Sequence, residues 1–183
     1  YDTRNSYVLK NINFELKKPD KILLYGETGA GKSTFVEILL GLLKPTKGRV
    51  EVENHDINLN FKEWTKNIGY IPQKVTLIDG SLLSNIAFGI EKENINKKLL
   101  DEAIGLAELD KFIKKLPDGL ETNVGEFGSK LSGGQIQRIG IARAIYRNPE
   151  ILILDEATNA LDEDTEQKVI SNLLTKFKDK IMI

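Results

Sequence analysis

Residues 26–34 read GETGAGKST, the spacing G-x-x-x-x-G-K-[ST], between the unbroken apolar run KILLY (21–25) and a stretch of helical spacing at 32–43. A strand that turns through glycines into a helix aims backbone N–H groups and the helix's positive end at one concave point, a cradle for phosphate. Gly26, Glu27, Thr28, Gly29, Ala30, Gly31 and Thr34 then contribute loop backbone, Lys32 reaches the β- and γ-phosphates of a nucleotide, and the Ser33 hydroxyl ligates Mg²⁺. The motif needs a buried strand before it and a helix after it, which points to an α/β fold.

Two more runs, ILILD (151–155) and KIMI (180–183), are apolar without alternation, as strands buried on both faces of a parallel sheet are. The first leads to a helix expected at 164–177, opened by Asp164 and Gln167 as a capping-box-like pair. Residues 7–16 partly alternate, and 48–53 precede a turn at Asn54–Asp56, so an antiparallel β layer is expected near the N-terminus, with His55 in a surface turn. From Gln73 to Asn148 the spacing is mostly helical, with candidates at 81–87, 96–107, 109–115 and 134–147. A helical subdomain at about 74–147 is therefore expected inside one domain of residues 1–183.

Composition narrows the partners. Lys plus Arg number 26 against 27 Asp plus Glu, scattered along the chain, so there is no basic face for nucleic acid. No cysteine is present, which fits a reducing compartment, and no apolar run approaches the ~20 residues of a membrane span.

The acidic pair of ILILDE (151–156) sits at the end of a buried strand, where ligands gather in open α/β sheets. Asp155 is expected to hold Mg²⁺ through water and Glu156 to act as general base on an attacking water, a role worth ~10²–10⁴ in rate. A second glycine-rich cradle, LSGGQ (131–135), opens the helix expected at 134–147, but no lysine follows its glycines as Lys32 follows Gly31.

GETGAGKST, LSGGQ and ILILDE in this order resemble the motif set of the ATP-binding cassette family over essentially the whole chain. The resemblance implies a P-loop NTPase with a RecA-like parallel sheet core, an N-terminal antiparallel β subdomain and a helical insertion. Tyr1 matches the family's adenine-stacking aromatic, with Tyr7 as a rival, and Gln73 in YIPQ matches its Q-loop, contacting Mg²⁺ and the attacking water. NALD (159–162) resembles the D-loop, with Asn159 where serine is usual and Asp162 near the nucleotide. Pro149 sits as expected before the acidic strand, and TNVGEFG (122–128), with Glu126, is similar to a segment of exporter-type cassettes.

By the same resemblance two cassettes pair head to tail, with ATP between the P-loop of one and Ser132, Gly133, Gly134 and Gln135 of the other. Transmembrane domains would dock near 74–90 and 122–128, placing the domain on the cytoplasmic face of a membrane, the inner one in a bacterium. The wording of 77–89 and 138–162 is most similar to flippases of lipid-linked sugars, with peptide or multidrug export as the alternative cargo and a soluble ABC ATPase as the alternative class. The chain starts without methionine and lacks the family's switch histidine, so it reads as a fragment with that histidine expected beyond Ile183.

Overall fold

The computed structural model describes residues 7–183, so Tyr1, the adenine candidate, lies outside the described residues. At the centre is a parallel sheet of three strands, β3 (Ile68–Ile71), β4 (Ile151–Leu154) and β5 (Ile181–Met182), in the order β3-β4-β5. Ile68 faces Ile151 and Ile71 faces Leu154 in the register of β3 with β4. Successive side chains of a strand point to opposite faces, and the two sides of this sheet are covered by different helices. Ile153 packs with Val36 of α1 (Lys32–Leu39) and with Leu40, which caps its C-terminal end, flanked by Ile68, Tyr70 and Ile151. Leu152, Ile71 and Met182 join the larger cluster on the other face.

That larger cluster is built on two long helices, α6 (Gly133–Tyr146) and α7 (Glu163–Lys176). Val169 and Leu173 of α7 and Ile139 and Ile141 of α6 are fully buried. Each such aliphatic side chain contributes about 1.5–3 kcal/mol by leaving water. The helical part continues through α3 (Leu82–Ile86), α4 (Lys97–Leu106) and α5 (Asp110–Ile113), in agreement with the helical spacing between Gln73 and Asn148. It is pinned by polar bonds as well: fully buried Asn85 bonds the backbone of Ile78 and Ser81, and Arg143 of α6 donates to the carbonyls of Asn85 and Thr76. Burial pulls the Arg143 guanidinium below its usual range.

Several expectations change. KILLY pairs only at its start, through a parallel bridge of Lys21 to Met182 and the bond from Ile22 N–H to Met182 O (2.8 Å). Leu24 packs toward α1, while Leu23 and Tyr25 are 87% and 96% exposed, so the run is covered on one face instead of two.

Residues 7–16 form no strand, since none of their backbone groups joins a ladder among the described residues, and an isolated strand is marginal in water. The antiparallel layer is a hairpin of β1 (Glu51–Val52) and β2 (His55–Asp56) turning at Glu53 and Asn54, both at positive φ. His55 is therefore the first residue of an exposed strand, its ring Nδ1–H donating to Glu53 O (2.8 Å), instead of a turn residue. The short helix α2 (Phe61–Lys66) and strand β3 carry no clear period in so few residues. Finally, the cap of α7 lies two residues before the expected one: Asp162 is the N-cap, accepting from Thr165 N–H (3.0 Å), and no Asp164–Gln167 box forms.

Candidate active site

The phosphate cradle begins where Gly31 caps α1 in a left-handed conformation (φ 94°). A Cβ there would lie 2.9 Å from Leu9 Cδ2, so both the turn and the approach of residues 8–9 require glycine. Among the described residues no side chain caps α1, and its first turn holds no acid, which leaves its first N–H groups and the positive end of its dipole for an anion. Lys32 Nζ turns back onto the loop, donating to Gly26 O (2.6 Å) and Glu27 O (3.0 Å). A triphosphate fits this uncapped terminus and lysine.

Beside it opens a cleft of about 290 Å³ whose walls include Leu24, Lys32, Asp155, Glu156, Thr158 and Ile183. The sheet delivers both acids: Asp155 N–H continues the ladder by donating to Ile71 O (2.9 Å), and the chain then turns sharply at Glu156 (φ 48°). A non-glycine residue in that region costs on the order of 1 kcal/mol and clusters at functional sites. Tyr70 of β3 donates its hydroxyl to Asp155 Oδ2 (3.3 Å), and burial first, then the Asp155 charge, pushes the phenol pKa up to about 12. Tyr70 thus stays a neutral donor that orients the carboxylate.

The exposed Glu156 carboxylate is gripped by two amides. Gln73, just beyond β3, donates Nε2–H to Oε2 at 2.6 Å, and Asn159 donates Nδ2–H to the same oxygen at 2.9 Å. Lys32, Gln73 and the adjacent pair Asp155–Glu156, from three separate segments, therefore gather at one end of the sheet. Among the described residues no cluster of three or more His, Cys, Asp or Glu could cage a metal ion. Mg²⁺ suits such a site, because it keeps several waters and takes one or two protein oxygens beside substrate phosphates. Ser33 and Asp155 would supply those oxygens, and the ion would draw charge from the phosphate oxygens.

LSGGQ is elsewhere. Ser132 caps α6 by accepting from Gln135 N–H (3.3 Å), and Gln135 Oε1 accepts from Ser132 N–H (2.8 Å), a complete capping box. A Cβ on Gly134 would lie 3.0 Å from Ala160 O, so the signature packs on the NALD turn and none of its residues lines the Lys32 cleft. Asp162 also turns away from that cleft, and hydrogen bonds from Thr165, side chain before backbone, hold its carboxyl below the usual carboxylate range.

Sequence reasoning missed Tyr70, the Asn159 contact and Gln137. Gln137 is buried on α6 and donates Nε2–H to Ala157 O (2.7 Å) and Pro72 O (3.5 Å), tying the helix to both segments that carry Gln73 and Glu156. The signal was available: Gln137 shares a helical stripe with Ile141 and Ile145, where a buried amide demands partners.

A family model described as ABC transporter matches residues 9–159. The chain belongs to the ABC transporter family. It is 39% identical over 177 residues to the ATP-dependent permease MDL1 of Candida albicans, covering 96% of this chain and 26% of that protein. It is 39% identical over 173 residues to the multidrug resistance protein pgp-1 of Caenorhabditis elegans, covering 94% and 13%. A solved structure of a bacterial Atm1-family ABC exporter with ATP bound superposes with a TM-score of 0.80 at 37% identity, covering 86% of this chain and 28% of that one. The ABC fold expected from the motifs, an α/β P-loop NTPase, is thus borne out. The chain spans about a quarter or less of these relatives and matches the ATP-binding part of the family. Among the described residues no helix is long and apolar enough to cross a membrane.

Proposed function

We propose that this chain is the ATP-binding and hydrolysing domain of an ABC exporter. The observation that carries the reading is the convergence of Lys32, Asp155 and Glu156 on one cleft, with Gln73 bonded to Glu156 at 2.6 Å. In this reading the uncapped end of α1 and Lys32 hold the triphosphate, Ser33 and Asp155 face Mg²⁺, and Glu156 takes a proton from the water that attacks the γ-phosphate. Export as the work done agrees with "permease", "multidrug resistance" and "exporter" in the names of the relatives.

The partner on the far side of the ATP is a second ATP-binding domain, a copy or a paralogue, presenting Ser132–Gln135 and Asp162 across the interface. Loss of the γ-phosphate removes the bridge that holds the pair shut, so turnover becomes motion. Transmembrane domains receive that motion at 74–90 and 122–128. These segments lie side by side, with Val124 N–H on Gly80 O (2.9 Å) and Leu82 N–H on Thr122 O (3.0 Å), and they expose Ile78, Phe88 and Phe127.

The test is Glu156→Gln in the full-length protein. ATP binding is retained, turnover falls at least ~10²-fold, and an ATP-bound pair accumulates in size-exclusion profiles. Unaltered turnover would remove Glu156 as the base.

A further inference from the structure

The turn after β4 brings an amide to the carboxylate that would do the chemistry. Asn159 Nδ2 lies 2.9 Å from Glu156 Oε2, and the two residues share one turn, Asn159 N–H facing Glu156 O at 3.4 Å. The amide orientation is dictated by chemistry, because its oxygen facing a carboxylate would set two acceptors against each other. Gln73 reaches the same Oε2 from beyond β3, 83 positions away in sequence, whereas Asn159 belongs to Glu156's own turn. Both donors engage Oε2, and no bond to Oε1 is made among the described residues.

We infer that Asn159 is a positioning residue for Glu156, its side-chain amide holding Oε2 so that Oε1 stays open to the attacking water. In that step a water O–H bond breaks and its proton goes to Oε1. The water oxygen bonds to the γ-phosphorus, and the bridging oxygen leaves with the electron pair on ADP. Gln73 reaches Oε2 from a segment beyond β3, and Asn159, fixed in the same turn as Glu156, is then the donor that keeps the carboxylate turned. Glu156 needs such a hold because it is exposed and its backbone is left-handed, so neither packing nor a regular helix fixes its side chain. The inference rests on the reading of Glu156 as general base.

The experiment measures kcat and KM for ATP in full-length Asn159→Ala and Asn159→Asp, alone and combined with Glu156→Gln. Asn159→Asp keeps the shape and the turn but replaces the donor with an acceptor. Both single variants should lose about tenfold in kcat, the worth of one charge-assisted hydrogen bond, with KM and nucleotide affinity within about twofold of the parent. Neither should lower the residual turnover of Glu156→Gln further, because residues acting through one group are not additive. A parental kcat in Asn159→Asp, a KM that rises in step, or an undiminished loss in the Glu156→Gln background would overturn the inference. If Glu156→Gln alone keeps full turnover, the general-base reading fails and takes this one with it. If it abolishes turnover while Asn159→Asp is silent, only Asn159's role fails.

Discussion

The molecule has two glycine-rich helix entrances that look alike in sequence and are finished differently. At α1 no side chain among the described residues caps the helix, the first turn has no acid, and Lys32 folds over the loop from the same chain. At α6 the helix caps itself, Ser132 and Gln135 closing on each other, with Ala160 against Gly134, and the nearby Lys130 donates to Asn123. An open terminus with its own cation is built around an anion it binds alone. A capped one has its Gln135 N–H already bonded and leaves the Gly133 and Gly134 N–H groups as a rim, which suits half of a site completed by another molecule.

The sharpest way to break this contrast is to disable each entrance separately in the full-length protein. Lys32→Ala should weaken ATP binding by the unpaired protein roughly tenfold or more, since it removes a charge-assisted contact. Ser132→Arg or Gly134→Asp should leave that affinity unchanged and abolish ATP-dependent pairing, read by calorimetry and size exclusion side by side. A Gly134→Asp protein that lost its own ATP affinity would make the two entrances equivalent. A smaller effect sharpens the contrast from the stability side. Ser132→Ala removes a cap and should cost about 0.5–2 kcal/mol in denaturant unfolding, whereas α1 has no side-chain cap to lose.

The same contrast shows what the amino-acid order made legible. GETGAGKST and ILILDE announce their structure because each local signal agrees with its tertiary place: β4 is buried on both faces and leads to the acids. KILLY carries an equally strong run, yet its Leu23 and Tyr25 are exposed, since burial depends on which strand lies beside it and not on the run itself. At α6 the S-x-x-Q spacing of Ser132 and Gln135 encodes the capping box, and attention to the glycines hid it. At α7 two acids, Asp162 and Asp164, compete for the cap, and the backbone ahead of the helix decides for Asp162. Tyr70 and Asp155 lie 85 positions apart and Gln73 and Glu156 lie 83 apart, so both contacts come from the parallel register of β3 with β4, which no local pattern carries.

The most direct measurement of the central claim, one entrance working within a chain and the other across to a partner, is complementation between Lys32→Ala and Gly134→Asp full-length proteins. Each alone spoils every site of a symmetric pair. In a mixed pair both lesions fall in one composite site and the other is intact, so ATP turnover of the mixture should rise clearly above the sum of the separate proteins. Turnover equal to that sum, with mixed pairs shown to form, would contradict the account.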